Sequence, residues 1–390
     1  MDYSSKALEL HKKYQGKLET VSKVPIKNKE DLSTVYTPGV AAVSQFISQN
    51  PEAVNELTLK GRTVAVVSDG SAILGLGNLG PEAALPVMEG KCLLFKTFAG
   101  LDAFPIVLNT QEPEEIIKIV KALAPTFAAI NLEDISAPKC FAIEKALQGL
   151  GIPVMHDDQH GTAVAILGPL KTAVELAGKD WTKLKVVISG AGAAGSSVAR
   201  MLSDVGDVLV LDSKGIISVE RQDLEGYEQS SKLRESSAYK NDLAKITNKN
   251  NVQGDLQKAL EQADVFIGLS VGGVLKPEYI KNMAKDPIIF AMANPIPEIY
   301  PEEAKKMGVR FIATGRSDFP NQVNNSLAFP GIFKGAIQGH AKQITVEMKK
   351  AATDALGNIL KNPTPDNFVP SMFDPKVVEE VSQAVIRAIK

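Results

Sequence analysis

Cysteine is scarce, with two residues in 390, Cys92 and Cys140. They match no metal-binding spacing, which sets aside a disulfide framework and leaves reduced structural thiols in a reducing compartment as the expectation. Charge of one sign is also lacking. A formal net charge of −2 leaves no electrostatic footprint for nucleic acid or an anionic membrane. No apolar run is long enough to span a bilayer. The opening Met1–Gly16 is polar and charged and has no apolar leader core, so a cytoplasmic location is expected. There is no low-complexity tract and no repeat period. What is present is a chain that is 44% hydrophobic and long enough for two domains of ordinary size.

Buried strands alternate with helices along it. Strands are expected at Val64–Val67, Leu93–Phe95, Ile106–Leu108 and Phe127–Leu132, and a helix at Glu112–Leu123 with Pro113 tolerated in its first turn. A second series runs from a long apolar helix, Thr162–Ala177, through a strand at Leu184–Ile188, a helix at Ser196–Ser203 and a strand at Val208–Leu211. Further strands follow at Asp264–Leu269, Ile288–Ala291 and Val309–Ile312. The intervening 214–253 is polar and reads as surface loops and helices. Ile332–Ile344 and Val377–Ile389 are amphipathic helix. The alternation predicts an α/β fold with largely parallel sheets. The expected division is an N-terminal α/β substrate and metal domain over 1–158, a Rossmann-type doubly wound dinucleotide domain over 159–325, and a tail over 326–390 packed onto the first.

Two features carry chemistry. Glu133-Asp134 ends one apolar run, and His156-Asp157-Asp158-Gln159-His160 ends another. Two carboxylate clusters at two strand ends can meet and hold a hard divalent cation, Mg²⁺ or Mn²⁺. His156 and His160 stand four apart, a zinc spacing on a helix, but Gly161 argues against regular helix there, and hydrogen bonding is the plainer role for both. The second feature is Ser189-Gly190-Ala191-Gly192-Ala193-Ala194-Gly195. Gly190, Gly192 and Gly195 have the G-x-G-x-x-G spacing after a strand and before a helix, with Asp212 at the end of the next strand. Asp212 would bond a ribose 2′-hydroxyl and favours NAD mildly; Ser213-Lys214 beside it would suit the 2′-phosphate of NADP.

The chain resembles the malic enzymes in their short bacterial form. The resemblance covers nearly its whole length and rests on Val35-Tyr36-Thr37-Pro38-Gly39, Ser68-Asp69-Gly70, Leu74 through Gly80, Pro86 through Lys91, Asn131 through Asp134, His156 through Thr162, the glycine loop, Ala293-Asn294-Pro295 and Asn324-Asn325. It implies a homodimer associating through the N-terminal region and oxidative decarboxylation of (S)-malate to pyruvate and CO₂ with NAD or NADP. It implies Tyr36 as general acid, Lys91 as general base with Asp157 beside it, and Glu133, Asp134 and Asp158 as metal ligands. Lys91, Tyr36, Asn294 and Asn325 would contact substrate, and Asn294 the cofactor as well. One position departs from the family: larger relatives carry an arginine that grips a substrate carboxylate where this chain has Ala72. Asparagines, the metal or backbone amides would then take that carboxylate.

The residue types suit such a reaction. Removing a hydroxyl proton during hydride transfer needs a base, and a lysine serves if burial or a nearby positive charge lowers its pKa. Lys91 follows Gly90 and is expected at the start of the Leu93–Phe95 strand. Gly75 to Gly80 is too long for a simple turn and reads as backbone passing close to substrate or nicotinamide. The same residues would serve malolactic conversion or oxaloacetate decarboxylation. An amino-acid dehydrogenase of similar architecture gives no reason for the two acidic clusters.

Overall fold

Two parallel sheets organise the chain in the computed structural model, which describes residues 3–202, 205–224 and 238–389. The first contains β1 (Thr63–Ser68), β2 (Asp102–Val107), β3 (Ala129–Leu132) and β4 (Val154–His156), in the order β2-β1-β3-β4. β1 and β3 are buried throughout, as apolar runs covered on both faces by helices should be. The second contains β5 (Lys185–Ser189), β6 (Asp207–Asp212), β7 (Gly215–Ile216), β8 (Val265–Gly268), β9 (Ile288–Ala291) and β10 (Phe311–Thr314). Its order is β10-β9-β8-β5-β6-β7, and only β7 is antiparallel. The chain leaves β5 to one side for β6 and returns to its other side at β8. This is the doubly wound arrangement, with its switch point, and hence its ligand crevice, at the carboxyl end of β5.

Two local expectations are overturned. Leu93–Phe95 is not a strand; Lys91 lies in the helix Pro81–Leu94, which passes into a π-helical turn at Phe95–Ala99. Its buried residues Ala84, Met88, Lys91 and Cys92 recur at helical spacing, and the apolar Leu93-Leu94 hides that period. The long helix starts at Asp157, five residues before its expected start, and runs to Leu176 through Gly161. Carboxylates in a first helical turn are favoured by the exposed amides there. The helix expected over Ser196–Ser203 spans Ala193–Met201, and Ser203 lies outside the described residues. So does 225–237 of the polar stretch, which otherwise holds short elements such as the helix Ala238–Ile246.

One apolar core joins the parts. Val64 and Met88 from the first sheet layer, Ile188 and Phe290 from the second, and Phe329, Phe333 and Val381 from the tail belong to a single cluster. The helix Asp157–Leu176 runs between them with Val164, Ile166 and Leu170 fully buried. Phe95 meets Phe329 and Phe333 edge to face, with ring centroids 4.7 and 5.4 Å apart. The first three helices, Tyr3–Tyr14, Lys29–Val35 and Val40–Gln49, bury no residue at all. Among the described residues no helix is long and apolar enough to cross a membrane. Phe333 is fully buried at the joint between tail and first unit, and Phe333→Ala is expected to cost about 3–5 kcal/mol of stability. Denaturant unfolding checks this, and a loss below about 1 kcal/mol would show that the joint collapses to fill the space.

Candidate active site

Register places the acids. Leu132 of β3 pairs with His156 of β4, so Glu133-Asp134 and Asp157-Asp158 leave adjacent parallel strands at the same level. Glu133, Asp134 and Asp158 offer oxygens that all lie within 4.8 Å of one another. The Asp134 amide donates to Asp158 Oδ2 at 2.8 Å, and its carbonyl accepts from Ala72 N–H at 3.0 Å. Asp134 has a left-handed backbone, φ 53°, a conformation that non-glycine residues keep where surrounding contacts enforce it. Asn131, two residues before Glu133 on the same strand face, donates to its Oε2 at 2.8 Å. Burial pushes Asp134 up to about 8 and Asp158 up to about 6, with neighbouring carboxylates adding to both. Asp134 Oδ2 is buried with no hydrogen-bond partner. An all-oxygen group short of positive charge, with an orphaned carboxylate oxygen, fits a hard divalent cation.

Lys91 stands against this group. Its Nζ lies 2.6 Å from Asp157 Oδ2 and 2.9 Å from Glu133 Oε1, over the Phe329 ring at 4.3 Å. Burial alone would lower its pKa, but Asp157, Glu133 and Asp158 more than offset that and hold Lys91 above its usual range. Burial therefore acts on Lys91 in the direction expected of a base, and the neighbouring carboxylates act against it. Asn325 opens a short turn, Asn325–Leu327, just before Phe329. Tyr36 is not in the cluster; it caps the helix Lys29–Val35 and is 67% exposed.

The glycine run meets the second domain. A Cβ on Gly75 would lie 3.1 Å from the Asn294 carbonyl oxygen, so the run packs against the Ala293-Asn294-Pro295 turn. The amides at 70–73 are already spent, donating to Ser68 Oγ, Asp69 Oδ1, the Asp134 carbonyl and the Gly77 carbonyl in that order. They are not available to replace the arginine missing at Ala72.

At β5 a cavity of about 640 Å³ is lined by Gly190, Ala191, Gly192, Asp212 and Ser270 among others. Gly190 has φ +117° and its Cβ position lies 2.4 Å from the Leu269 carbonyl oxygen, so no side chain fits. Ala193 and Ala194 form the first turn of the following helix, and Gly195 lies against the Gly190 carbonyl. Asp212 is held by Arg221 at 2.8 Å, by Lys240 at 2.7 Å and by the Lys214 amide at 2.9 Å. Burial would raise its pKa, but Arg221 and Lys240 keep it below the usual carboxylate range. A second hollow, about 690 Å³ between the helices Val346–Gly357 and Pro375–Arg387, contains none of these residues.

Several participants escape sequence reasoning. Arg221 and Lys240 lie in polar stretches with no period to mark them. Glu144 accepts the His156 amide at 2.9 Å and bonds the His160 ring at 2.9 Å; the other side of that ring meets Ser197 Oγ at 3.1 Å and Lys349 Nζ at 3.3 Å. His156 Nε2 faces the Ile135 carbonyl at 3.2 Å. The two histidines therefore bond different partners and form no zinc pair. Lys139 pairs with the fully buried Asp69. Asn131 alone had a readable signal, its two-residue spacing from Glu133 on a strand.

Taken together, a doubly wound dinucleotide domain and a second α/β unit presenting a buried lysine beside an acidic cation cluster define a two-domain dinucleotide-binding protein. Residues 15–148 match the family of malic enzyme N-terminal domains and residues 159–390 that of malic enzyme NAD binding domains. The chain is 50% identical over 393 residues to the bifunctional malic/malolactic enzyme of Bacillus subtilis, covering 100% of this chain and 93% of that one. It is 52% identical over 378 residues to the NAD-dependent malic enzyme of Geobacillus stearothermophilus, covering 96% and 76%. The solved NAD-dependent malic enzyme of Thermotoga maritima superposes with a TM-score of 0.91 at 49% identity, covering 97% and 98%. The chain belongs to the malic enzyme family.

Gly161 supports this site directly. A Cβ there would lie 1.7 Å from Asp157 Oδ1, so Gly161→Ala is expected to destabilise by about 1–3 kcal/mol although alanine is the better helix former. Denaturant unfolding measures it; a stabilised variant would mean that Asp157 has room to move.

Proposed function

We propose that the protein catalyses oxidative decarboxylation of (S)-malate to pyruvate and CO₂ with reduction of NAD or NADP, dependent on Mg²⁺ or Mn²⁺. The observation that carries this reading is the buried Lys91–Asp157–Glu133 contact beside the Glu133, Asp134 and Asp158 oxygens. Such a site sets a proton acceptor against a cation cradle, and malate oxidation followed by decarboxylation needs both. Lys91 accepts the C2 hydroxyl proton as hydride leaves for the nicotinamide. Asp157, 2.6 Å from the Lys91 Nζ, is placed to exchange a proton with it. Glu133, Asp134 and Asp158 would hold a divalent ion, which would supply Lewis-acid stabilisation of negative charge on substrate oxygen. Asn294 and Asn325 take up the malate carboxylates.

Gly190, Gly192, Ala193, Ala194 and Gly195 receive the pyrophosphate at a helix N-terminus. Asp212 faces the ribose, which favours NAD, while Arg221 and Lys240 draw on its charge. The unpaired buried thiols Cys92 and Cys140 suit a reducing cytoplasm. A net charge of −2 gives no reason for a nucleic-acid partner.

Tyr36 serves as the acid that protonates C3 after CO₂ is lost. In the single chain it is exposed, along with Tyr3, Leu8, Tyr14 and Phe46 on helices that bury nothing. Apolar surface of this kind marks an interface. We read it as the contact of a homodimer, in which Tyr36 leaves solvent. A malolactic outcome is the second reading, because a relative that this chain resembles over its full length is called a bifunctional malic/malolactic enzyme.

The first test follows absorbance of reduced nicotinamide with malate and Mn²⁺, with NAD⁺ or NADP⁺, with and without chelator. A chelator-sensitive signal with pyruvate as product is expected; lactate without net reduced nicotinamide would replace this reading with the malolactic one. Lys91→Ala should lower kcat by about 10²–10⁴-fold while cofactor binding persists, and a wild-type rate would remove Lys91 as the base. Tyr36→Phe should spare malate oxidation more than pyruvate release, seen as oxaloacetate escaping into solution; equal loss of both steps counts against a late acid. Sedimentation should give a mass near twice the 41.7 kDa chain, and a monomer at micromolar concentration would end the dimer reading.

A further inference from the structure

The turn after β9 carries a buried carboxylate that the reaction above does not use. Glu298 is 0% exposed. Among the described residues no lysine, arginine or histidine pairs with it. Its Oε1 accepts from the Ser270 amide at 3.2 Å and its Oε2 from the Ala293 amide at 3.0 Å. Burial raises its pKa, while these amides and its own favour the anion. A buried carboxylate without a cation is costly, and it persists where its oxygens satisfy amides that would otherwise be left unbonded.

Ser270 lines the crevice, and Ala293 lies at the end of the neighbouring strand β9. Ser270 lies two residues past β8, and its hydroxyl bonds Ser189 Oγ, the last residue of β5, at 2.9 Å. Ala293 lies two residues past β9 and directly precedes Asn294. One carboxylate thus links the ends of β5, β8 and β9 where the strand order turns. β8 makes room for it: a Cβ on Gly268 would come within 2.3 Å of the Glu298 Cδ. On its far side the same turn touches the Gly75 run through the Asn294 carbonyl.

We propose that Glu298 is a positioning residue of the reaction, clamping the Ser270 and Ala293 amides so that Asn294 and the crevice rim are presented to malate and the nicotinamide. This rests on the reading of Asn294 as a substrate and cofactor contact. A carboxylate is the group required, because it presents two acceptors to two amides from different strands. Glutamine has the same volume but turns one acceptor into a donor facing an N–H.

The test compares wild type, Glu298→Gln and Glu298→Asp in kcat/KM for malate and in affinity for ADP-ribose, which occupies the adenosine half of the crevice without a nicotinamide. Glu298→Gln should lower kcat/KM by about 10–100-fold, the scale of a small misplacement of a positioning group, while ADP-ribose affinity stays within about twofold of wild type. Glu298→Asp, which keeps both acceptors, should recover part of the loss, and it carries the test if the glutamine variant does not fold. Unchanged kcat/KM, or ADP-ribose affinity falling in step with it, overturns the proposal. Asn294→Ala run alongside should raise the malate KM by about tenfold, the order of one lost hydrogen bond to a charged group. An unchanged KM there removes the reading beneath the proposal, whatever Glu298→Gln does.

Discussion

The contact of Lys91 with Asp157 and Glu133 is the constraint around which the molecule is arranged. Four carboxylates gather beside one lysine, which touches Asp157 and Glu133; Glu133, Asp134 and Asp157 are buried and Asp158 is half-buried. Taking these charges out of solvent costs several kcal/mol each, and one cation does not balance them. The imbalance leaves the cluster short of positive charge, and the lysine is held in direct contact with Asp157 and Glu133. Gly161 has no side chain because Asp157 occupies the space, and Phe329 reaches across from the tail to place its ring under the Lys91 ammonium.

Parallel β-structure makes the arrangement possible. Adjacent parallel strands end at the same edge, so residues that follow β3 and β4 become neighbours without further instruction. The same geometry in the second sheet brings the glycine loop after β5, Asp212 at the end of β6 and the turn after β8 to one crevice, and Glu298 ties the turn after β9 to its rim. The helix Asp157–Leu176 ties the two edges together, since it begins in the acid cluster and runs through the shared core. The Glu144–His160–Ser197–Lys349 contacts reinforce that joint with partly buried polar groups drawn from four different helices.

The N-terminal helices stand apart. They carry apolar side chains at helical spacing yet bury none. Tyr36 sits on this uncovered segment, whereas Lys91 is enclosed by contacts within one chain.

Much of this was legible in the chain itself. Ile288–Ala291 matches β9 residue for residue, and Val64–Val67 and Leu184–Ile188 fall on β1 and β5, because a buried parallel strand needs an unbroken apolar run. The glycine spacing before Asp212 located the crevice, because tight turns and close backbone approach admit little else. The two acid pairs, read as strand-end clusters that can meet, do lie together at the ends of β3 and β4. Local pattern went wrong where a tertiary contact overrode it: Leu93-Leu94-Phe95 looks like a strand but ends a helix whose other face buries Lys91, and Gly161 looks like a helix breaker but is the residue that lets Asp157 fit. Only the tertiary structure could bring Lys91 to Asp157 across 66 residues, Asp212 to Lys240 across 28 and Glu298 to Ser270 across 28. Sequence by itself sets which backbone shapes and burials a segment prefers. Which distant charges share one enclosed volume is decided by strand order and helix packing, and the energy of that choice resides in contacts that no local stretch contains.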